Sequence, residues 1–243
     1  MNTQTRPYLT IIVPVKDEED NILSLGKEIN QALKDVPYSW ECIWINDGSR
    51  DHTQQRLTQL STNYPQHRFL ELAQNFGQSA AMAVGFKQAK GEILATLDGD
   101  GQNDPQDIPK LVQFMQEKQA DVVNGYRAIR QDSWIRKIAS KIANKFRNLV
   151  TGDKIRDVGC SIRVIKKECV QNVFVFKGMH RFLPTLIKMQ GYTKIYELPV
   201  NHRPRTKGKT KYTINNRLWV GLFDTFGVLW MRKRIVNPKV KEK

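Results

Sequence analysis

Asp98 and Asp100 flank Gly99 in the run Asp98-Gly99-Asp100-Gly101-Gln102. In an extended segment, residues i and i+2 point the same way, so both carboxylates can face one ligand. Two hard oxygen ligands at that spacing suit Mg²⁺ or Mn²⁺ shared with substrate phosphates. Such an ion neutralises charge that builds on a departing diphosphate. Gly99 and Gly101 let the backbone approach the ligand closely. Two more acidic groups precede this one, Lys16-Asp17-Glu18-Glu19-Asp20 and Asn46-Asp47-Gly48-Ser49. Glu18 and Asp47 could each hold a nucleobase or ribose through a carboxylate. Asp and Asn also cap helices, and Asp-Gly also makes turns, so each group alone has a purely structural reading.

The surrounding pattern decides where these groups lie. Apolar, β-branched runs predict strands at Tyr8–Val15, Trp40–Ile45, Arg68–Leu72, Ile93–Leu97 and Asp121–Gly125. Helical patterns fall between them at Asn21–Leu33, Thr53–Thr62, Ser79–Gln88 and Ile108–Glu117. Strands alternating with helices imply βαβ units and a mostly parallel sheet, an α/β fold. Ligands of such sheets bind beyond the carboxyl ends of the strands. All three acidic groups follow a strand directly. Three coincidental caps at one edge of one sheet are harder to sustain than one shared site.

Other chemistries lack their residues. No Walker lysine motif and no Gly-x-Gly-x-x-Gly is present, so kinase, ATPase and dehydrogenase readings have no phosphate loop. His52, His67, His180 and His202 are dispersed, and no Ser-His-Asp set can be built around them. Cys42, Cys160 and Cys169 are too few and too scattered for a disulfide framework or a zinc site. Met1–Pro7 has no apolar signal core. Both features suggest the cytoplasm.

The 243 residues carry a formal charge of +15. From Asn201 to Lys243, twelve Lys or Arg stand against two acids, Asp224 and Glu242. Such a tail attracts polyanions. A nucleic-acid binder would use the tail, but three acidic strand ends would repel its phosphates. Nucleic acid is therefore not the expected partner.

Thr10-Ile-Ile-Val-Pro-Val15 with Glu18, Ile45-Asn-Asp-Gly-Ser-Arg-Asp-His-Thr53 and Asp98-Gly-Asp-Gly-Gln-Asn-Asp-Pro105 together resemble the family 2 glycosyltransferases of GT-A fold. The likeness is strongest to the dolichyl-phosphate mannose synthase and bacterial polyprenyl-phosphate glycosyltransferase branch. It continues through Gly125-Tyr-Arg127, Asp157-Val-Gly-Cys-Ser-Ile-Arg163 and Arg205-Thr-Lys-Gly-Lys-Thr-Lys-Tyr212. Lys16-Asp17 stands where the family often has Tyr-Asn. The resemblance implies inverting transfer of a sugar from a UDP- or GDP-sugar to a polyprenyl phosphate. It implies that Pro14, Val15, Glu18, Asp47, Asp98 and Gly99 line the nucleotide pocket. Asp98, Asp100 and Gln102 would hold Mg²⁺ or Mn²⁺, and Arg127, Arg205 and Lys211 would meet phosphates of donor or acceptor.

An acceptor phosphate is largely ionised near neutral pH, its second pKa being roughly 6, so it needs cations rather than a strong base. Arg203, Arg205, Lys207, Lys209 and Lys211, with Gly208 for a turn, suit that task. A sugar hydroxyl would instead need a carboxylate base. Asp157 is the candidate for that alternative, unless it caps a helix or pairs with Arg163.

Leu218–Met231 is apolar but short and contains Asp224. A spanning helix needs about 20 apolar residues. Trp219 and Trp230, with Arg217 before and Arg232-Lys233-Arg234 after, fit an amphipathic helix lying in the membrane interface. The expected division is a GT-A catalytic domain over residues 1–212 and a basic membrane-interface segment over 213–243. The second would attach the protein peripherally to the inner membrane face, or to a separate membrane subunit or second copy. A core helix packed on the catalytic domain is the competing reading.

Overall fold

The computed structural model describes residues 6–128, 134–204 and 214–236. The chain runs β1 (Leu9–Val15), α1 (Ile22–Ala32), β2 (Trp40–Asn46), α2 (Thr53–Asn63), β3 (His67–Glu71), α3 (Gln78–Gln88), β4 (Ile93–Thr96) and α4 (Asp107–Lys118). It continues through β5 (Val122–Arg127), α5 (Trp134–Thr151), β6 (Arg163–Lys166), α6 (Leu183–Met189), β7 (Ile195–Val200) and α7 (Ile214–Arg234). The first nine elements lie where the hydrophobic pattern predicts them, within one or two residues at each end.

The seven strands form one sheet in the order β3-β2-β1-β4-β6-β5-β7. β6 is antiparallel to β4 and β5, and the other pairings are parallel. The β-branched run of β1 suits a central strand covered on both faces. Ile11 and Val13 face α1, α2 and α4, while Ile12 faces α3 and α6. Ile22, Leu25, Ile29 and Leu33 form the helical stripe that seats α1.

From β1 the chain steps outward to β2 and β3, then returns to the other side of β1 as β4. That reversal opens a crevice between the carboxyl ends of β1 and β4, the usual ligand position in such sheets.

α7 packs against α5, with Phe146 edge-on to Phe226. Val228 of α7 is fully buried in the same core as α6, and Met231 packs against that core. Arg232 donates to the Thr151 carbonyl at the end of α5. Asp224 and Thr225 face the protein body, while Phe223, Phe226 and Trp230 point outward, at 74%, 55% and 63% exposure. The helix thus turns its polar middle inward and its aromatic side outward. Among the described residues, no helix is long and apolar enough to cross a membrane.

Candidate active site

The loops after β1 and β2 are stitched side by side. Asp17 takes a left-handed turn at φ 45°, and its N–H donates to Ser49 Oγ at 2.9 Å. Its carboxylate accepts from the Arg50 N–H at 2.7 Å. The Glu18 N–H donates to Thr53 Oγ1 at 2.9 Å, and its buried carboxylate accepts from Asn21 Nδ2 at 2.7 Å. Glu18 is thereby fixed at the mouth of the β1/β4 crevice.

Asp47, expected at the nucleotide, is buried against the protein itself. Its carboxylate accepts from Asn75 Nδ2 at 2.6 Å, from the Phe76 N–H at 2.7 Å and from the Gly77 N–H at 2.9 Å. These bonds hold the turn that opens α3. Gly48, at φ 66°, lies so close to Gln74 and Asn75 that a Cβ would meet their backbone at 2.7 Å. Asp47 therefore shapes the crevice wall through a turn more than 25 residues away, a role that spacing does not reveal.

Asp98 and Asp100 follow β4 across from Pro14 and Val15. At Gly99 a Cβ would meet Val15 Cγ1 at 2.4 Å, so only glycine lets this loop lie against β1. Gln78 Nε2 donates to Asp98 Oδ1 at 2.8 Å. Burial, then repulsion from Asp100, raises the Asp98 pKa to about 6, against the opposing pull of Ser161, Arg163 and Arg127. Two carboxylates in that condition fit a divalent cation, whose charge relieves the repulsion. No group of three or more His, Cys, Asp or Glu is set to hold a metal among the described residues. Substrate phosphates would complete the coordination of an ion shared with Asp98 and Asp100.

Gln102 closes the loop, donating its N–H to Asp100 Oδ1 at 3.1 Å and accepting the Arg203 N–H at 2.8 Å. Arg203 itself pairs with Glu28 at 2.5 Å and Asp104 at 2.8 Å. It therefore fastens the strap after β7 to α1 and to the loop after β4, two pairings that the phosphate-seating role foreseen for Arg203 did not include. Arg205 and Lys211 lie outside the described residues.

Arg127, at the end of β5, forms a two-pronged pair with Asp157. Nε donates to Oδ2 at 2.7 Å and an η nitrogen to Oδ1 at 2.9 Å. The Gly159 N–H also donates to Oδ1, at 3.2 Å. Asp157 thus takes Arg127 as its partner. Arg163 is instead enclosed behind Asp98, its guanidinium bonded to the carbonyls of Cys160 at 2.8 Å and His180 at 3.3 Å. Gln78 and Asn75 are residues at this crevice that sequence spacing does not single out, and each acts through a fold contact rather than a motif; Arg163, named from its block, lies behind Asp98 and not beside Asp157.

The sequence profile of glycosyl transferase family 2 matches residues 10–174. Dodecaprenyl-phosphate galacturonate synthase of Rhizobium johnstonii is 34% identical over 95% of this chain and 69% of its own length. Undecaprenyl-phosphate 4-deoxy-4-formamido-L-arabinose transferase of Pectobacterium carotovorum is 34% identical over 84% of this chain, which spans 62% of that relative. Among solved structures, glucosyl-3-phosphoglycerate synthase of Mycobacterium tuberculosis, in complex with Mn²⁺, UDP and glucosyl-3-phosphoglycerate, superposes with a TM-score of 0.70 at 16% identity. The superposition covers 95% of this chain and 81% of that one. The same enzyme with Mg²⁺ and UDP also gives 0.70 at 16% identity, over 95% and 80% of the two chains. At that identity the likeness is one of fold, and the fold is GT-A. With the profile spanning the crevice, the carboxylate pair and the Arg127–Asp157 corner, the chain belongs to glycosyl transferase family 2.

Proposed function

We propose that the protein moves a sugar from a nucleotide-diphosphate sugar to a polyprenyl phosphate at a membrane surface. The observation that carries this reading is the state of Asp157. Its carboxylate already receives two guanidinium bonds and two backbone N–H bonds, from Arg127 and Gly159. Each oxygen thus already accepts two N–H groups, which leaves neither one turned to an acceptor hydroxyl. Asp157 is thereby withdrawn from the role of base for a hydroxyl acceptor, whereas a phosphate arrives ionised. The names of the relatives point to the same acceptor class.

In this reading the donor's nucleotide lies in the β1/β4 crevice, along Pro14, Val15 and Glu18, with the turn held by Asp47 as its wall. Asp98 and Asp100 hold Mg²⁺ or Mn²⁺ with the donor diphosphate, Gln102 fixing their loop. The bound ion supplies charge neutralisation to the leaving nucleoside diphosphate. The acceptor oxygen attacks the anomeric carbon from the opposite side, with inversion. Arg127, held rigid by Asp157, lends positive charge near Asp98 without needing to move.

The membrane enters through α5 and α7. α5 carries five bases and no acid; Arg147 among them is buried against Asp153, and the helix exposes Ile142 and Leu149 at 65% and 82%. α7 adds Phe223, Phe226 and Trp230, then Arg232, Lys233 and Arg234. Apolar side chains flanked by bases suit an anionic lipid surface. The polyprenyl chain stays in that lipid while its phosphate reaches the site. Radiolabel transfer from a panel of nucleotide-sugars to a polyprenyl phosphate tests the proposal. Metal-dependent product that disappears in Asp100→Asn supports it. Label that reaches only water or free glycan, or full activity in excess EDTA, refutes it.

A further inference from the structure

The arginines around the catalytic corner are mostly spoken for. Arg127 is paired with Asp157, Arg203 with Glu28 and Asp104, and Arg163 with two backbone carbonyls. Arg156 differs. Its guanidinium lies over the ring of Tyr126, 5.1 Å from the centroid, and the residue is exposed. Among the described residues no carboxylate lies within ion-pair distance of it. A guanidinium held over a ring keeps N–H donors that the ring does not use, and at an exposed residue these can meet an anion.

The backbone of Arg156 is clamped on both sides. Its N–H donates to both Glu197 oxygens, at 2.9 and 3.1 Å. Its carbonyl accepts from Asn144 Nδ2 at 2.9 Å, while Asn144 and Asn148 also hold the Ile155 carbonyl at 2.7 and 2.8 Å. Asn144 and Asn148 belong to α5, the helix that exposes Ile142 and Leu149. Tyr126 and Arg156 thus form one rung, and Arg127 and Asp157 the next, between the end of β5 and the following segment. The first rung lies at the junction of α5 with the catalytic corner. A cation held in place before binding loses little freedom when it meets an anion.

We infer that Arg156, stacked on Tyr126, seats the phosphate monoester of the acceptor as it passes from the α5 side to the reacting centre. Guanidinium is suited to this because its planar fork can bond two phosphate oxygens at once. Arg127, bonded through the same fork to Asp157, contributes charge but has fewer donors to give. The inference rests on the proposed function, since it names the group that receives that reading's acceptor.

The test uses the full chain with a polyprenyl phosphate in detergent and the nucleotide-sugar that supports transfer. Initial rates are measured for wild type, Arg156→Ala, Arg156→Lys and Tyr126→Leu, varying donor and acceptor separately. Arg156→Ala should lower kcat/KM for the acceptor by about 10- to 100-fold, the effect of losing a charge-assisted contact. The donor KM, and binding of the nucleoside diphosphate with Mn²⁺ alone, should not change. Arg156→Lys should recover part of the loss, and Tyr126→Leu should fall between. The clamping bonds of residue 156 come from its backbone, so both Arg156 variants should keep the wild-type melting temperature. An unchanged acceptor kcat/KM in Arg156→Ala overturns the inference and leaves the proposed function standing. An equal change in donor KM overturns it too, by placing the arginine on the donor. If wild type transfers to no polyprenyl phosphate, the proposed function falls and this inference with it.

Discussion

Arg127 and Asp157 meet through two parallel hydrogen bonds, 2.7 and 2.9 Å long, across the gap between the end of β5 and the segment that leads to β6. The pair joins two pieces of backbone at the corner beside Asp98. Asp157→Asn should leave the geometry close to intact and lower kcat/KM without removing an ionisation from its pH profile. Arg127→Ala with Asp157→Asn should be little worse than the more damaging single change, because both break one unit. An acidic limb that vanishes only in Asp157→Asn would instead mark this residue as a general base.

Asp98 is ionised at a cost. Its pKa, raised to about 6 by burial and by Asp100, means the folded protein binds a proton more readily there than the unfolded chain does. The sign follows: without metal, stability falls as pH rises from about 4 to 6 and stays low above that. Asp98→Asn should therefore raise the melting temperature of the metal-free protein at pH 8, lose that advantage below about pH 4, and abolish transfer. Mn²⁺ should stabilise wild type more at pH 8 than at pH 5 and leave Asp98→Asn nearly unmoved. Thermal unfolding across pH, with and without Mn²⁺, reads all of these at once.

Asp47 should behave as a structural clamp of the site. Asp47→Ala leaves the Phe76 and Gly77 N–H groups without their acceptor. A loss of about 0.5–1.5 kcal/mol per hydrogen bond is expected in denaturant unfolding, since water reaches the exposed Phe76. The donor KM should rise with it, because the 75–77 turn walls the crevice. Wild-type stability combined with a lost donor affinity would move Asp47 back to direct nucleotide contact.

Much of this arrangement is legible from the chain. The β-branched runs and their periods locate β1 to β5 and α1 to α4, because parallel strands buried on both faces leave a continuous apolar signature. The acidic groups point to the strand ends for the same reason. β6 escapes because it has only four residues, opens on the buried Arg163, and runs antiparallel within an otherwise parallel sheet. The partners of Asp47 and Arg203 escape because each depends on a loop brought close by folding. α7 is foreseen as a helix with an outward aromatic side, but not the inward contact of Asp224, where Gly178 lets the chain pass beneath its carboxylate.

The aromatic side of α7 should carry membrane affinity. Phe223→Ser with Trp230→Ser removes two exposed apolar groups and leaves Val228 buried, so the fold should persist. Co-sedimentation with anionic liposomes should drop by at least about tenfold, each side chain contributing up to about 1.5–3 kcal/mol when fully withdrawn from water. Binding should also weaken with salt, through Lys233 and Arg234. Unaltered pelleting of the double variant would place the contact elsewhere.

The central claim is that the acceptor brings its own nucleophile as a phosphate. The direct measurement is a side-by-side transfer assay with a polyprenyl phosphate and the corresponding free polyprenol, at saturating nucleotide-sugar and Mn²⁺. Product should form with the phosphate and not with the alcohol. The rate should fall at low pH as the acceptor's second ionisation, near roughly pH 6, is suppressed. Equal transfer to the alcohol would contradict the account, because it would require a base that the paired Asp157 is unfit to supply.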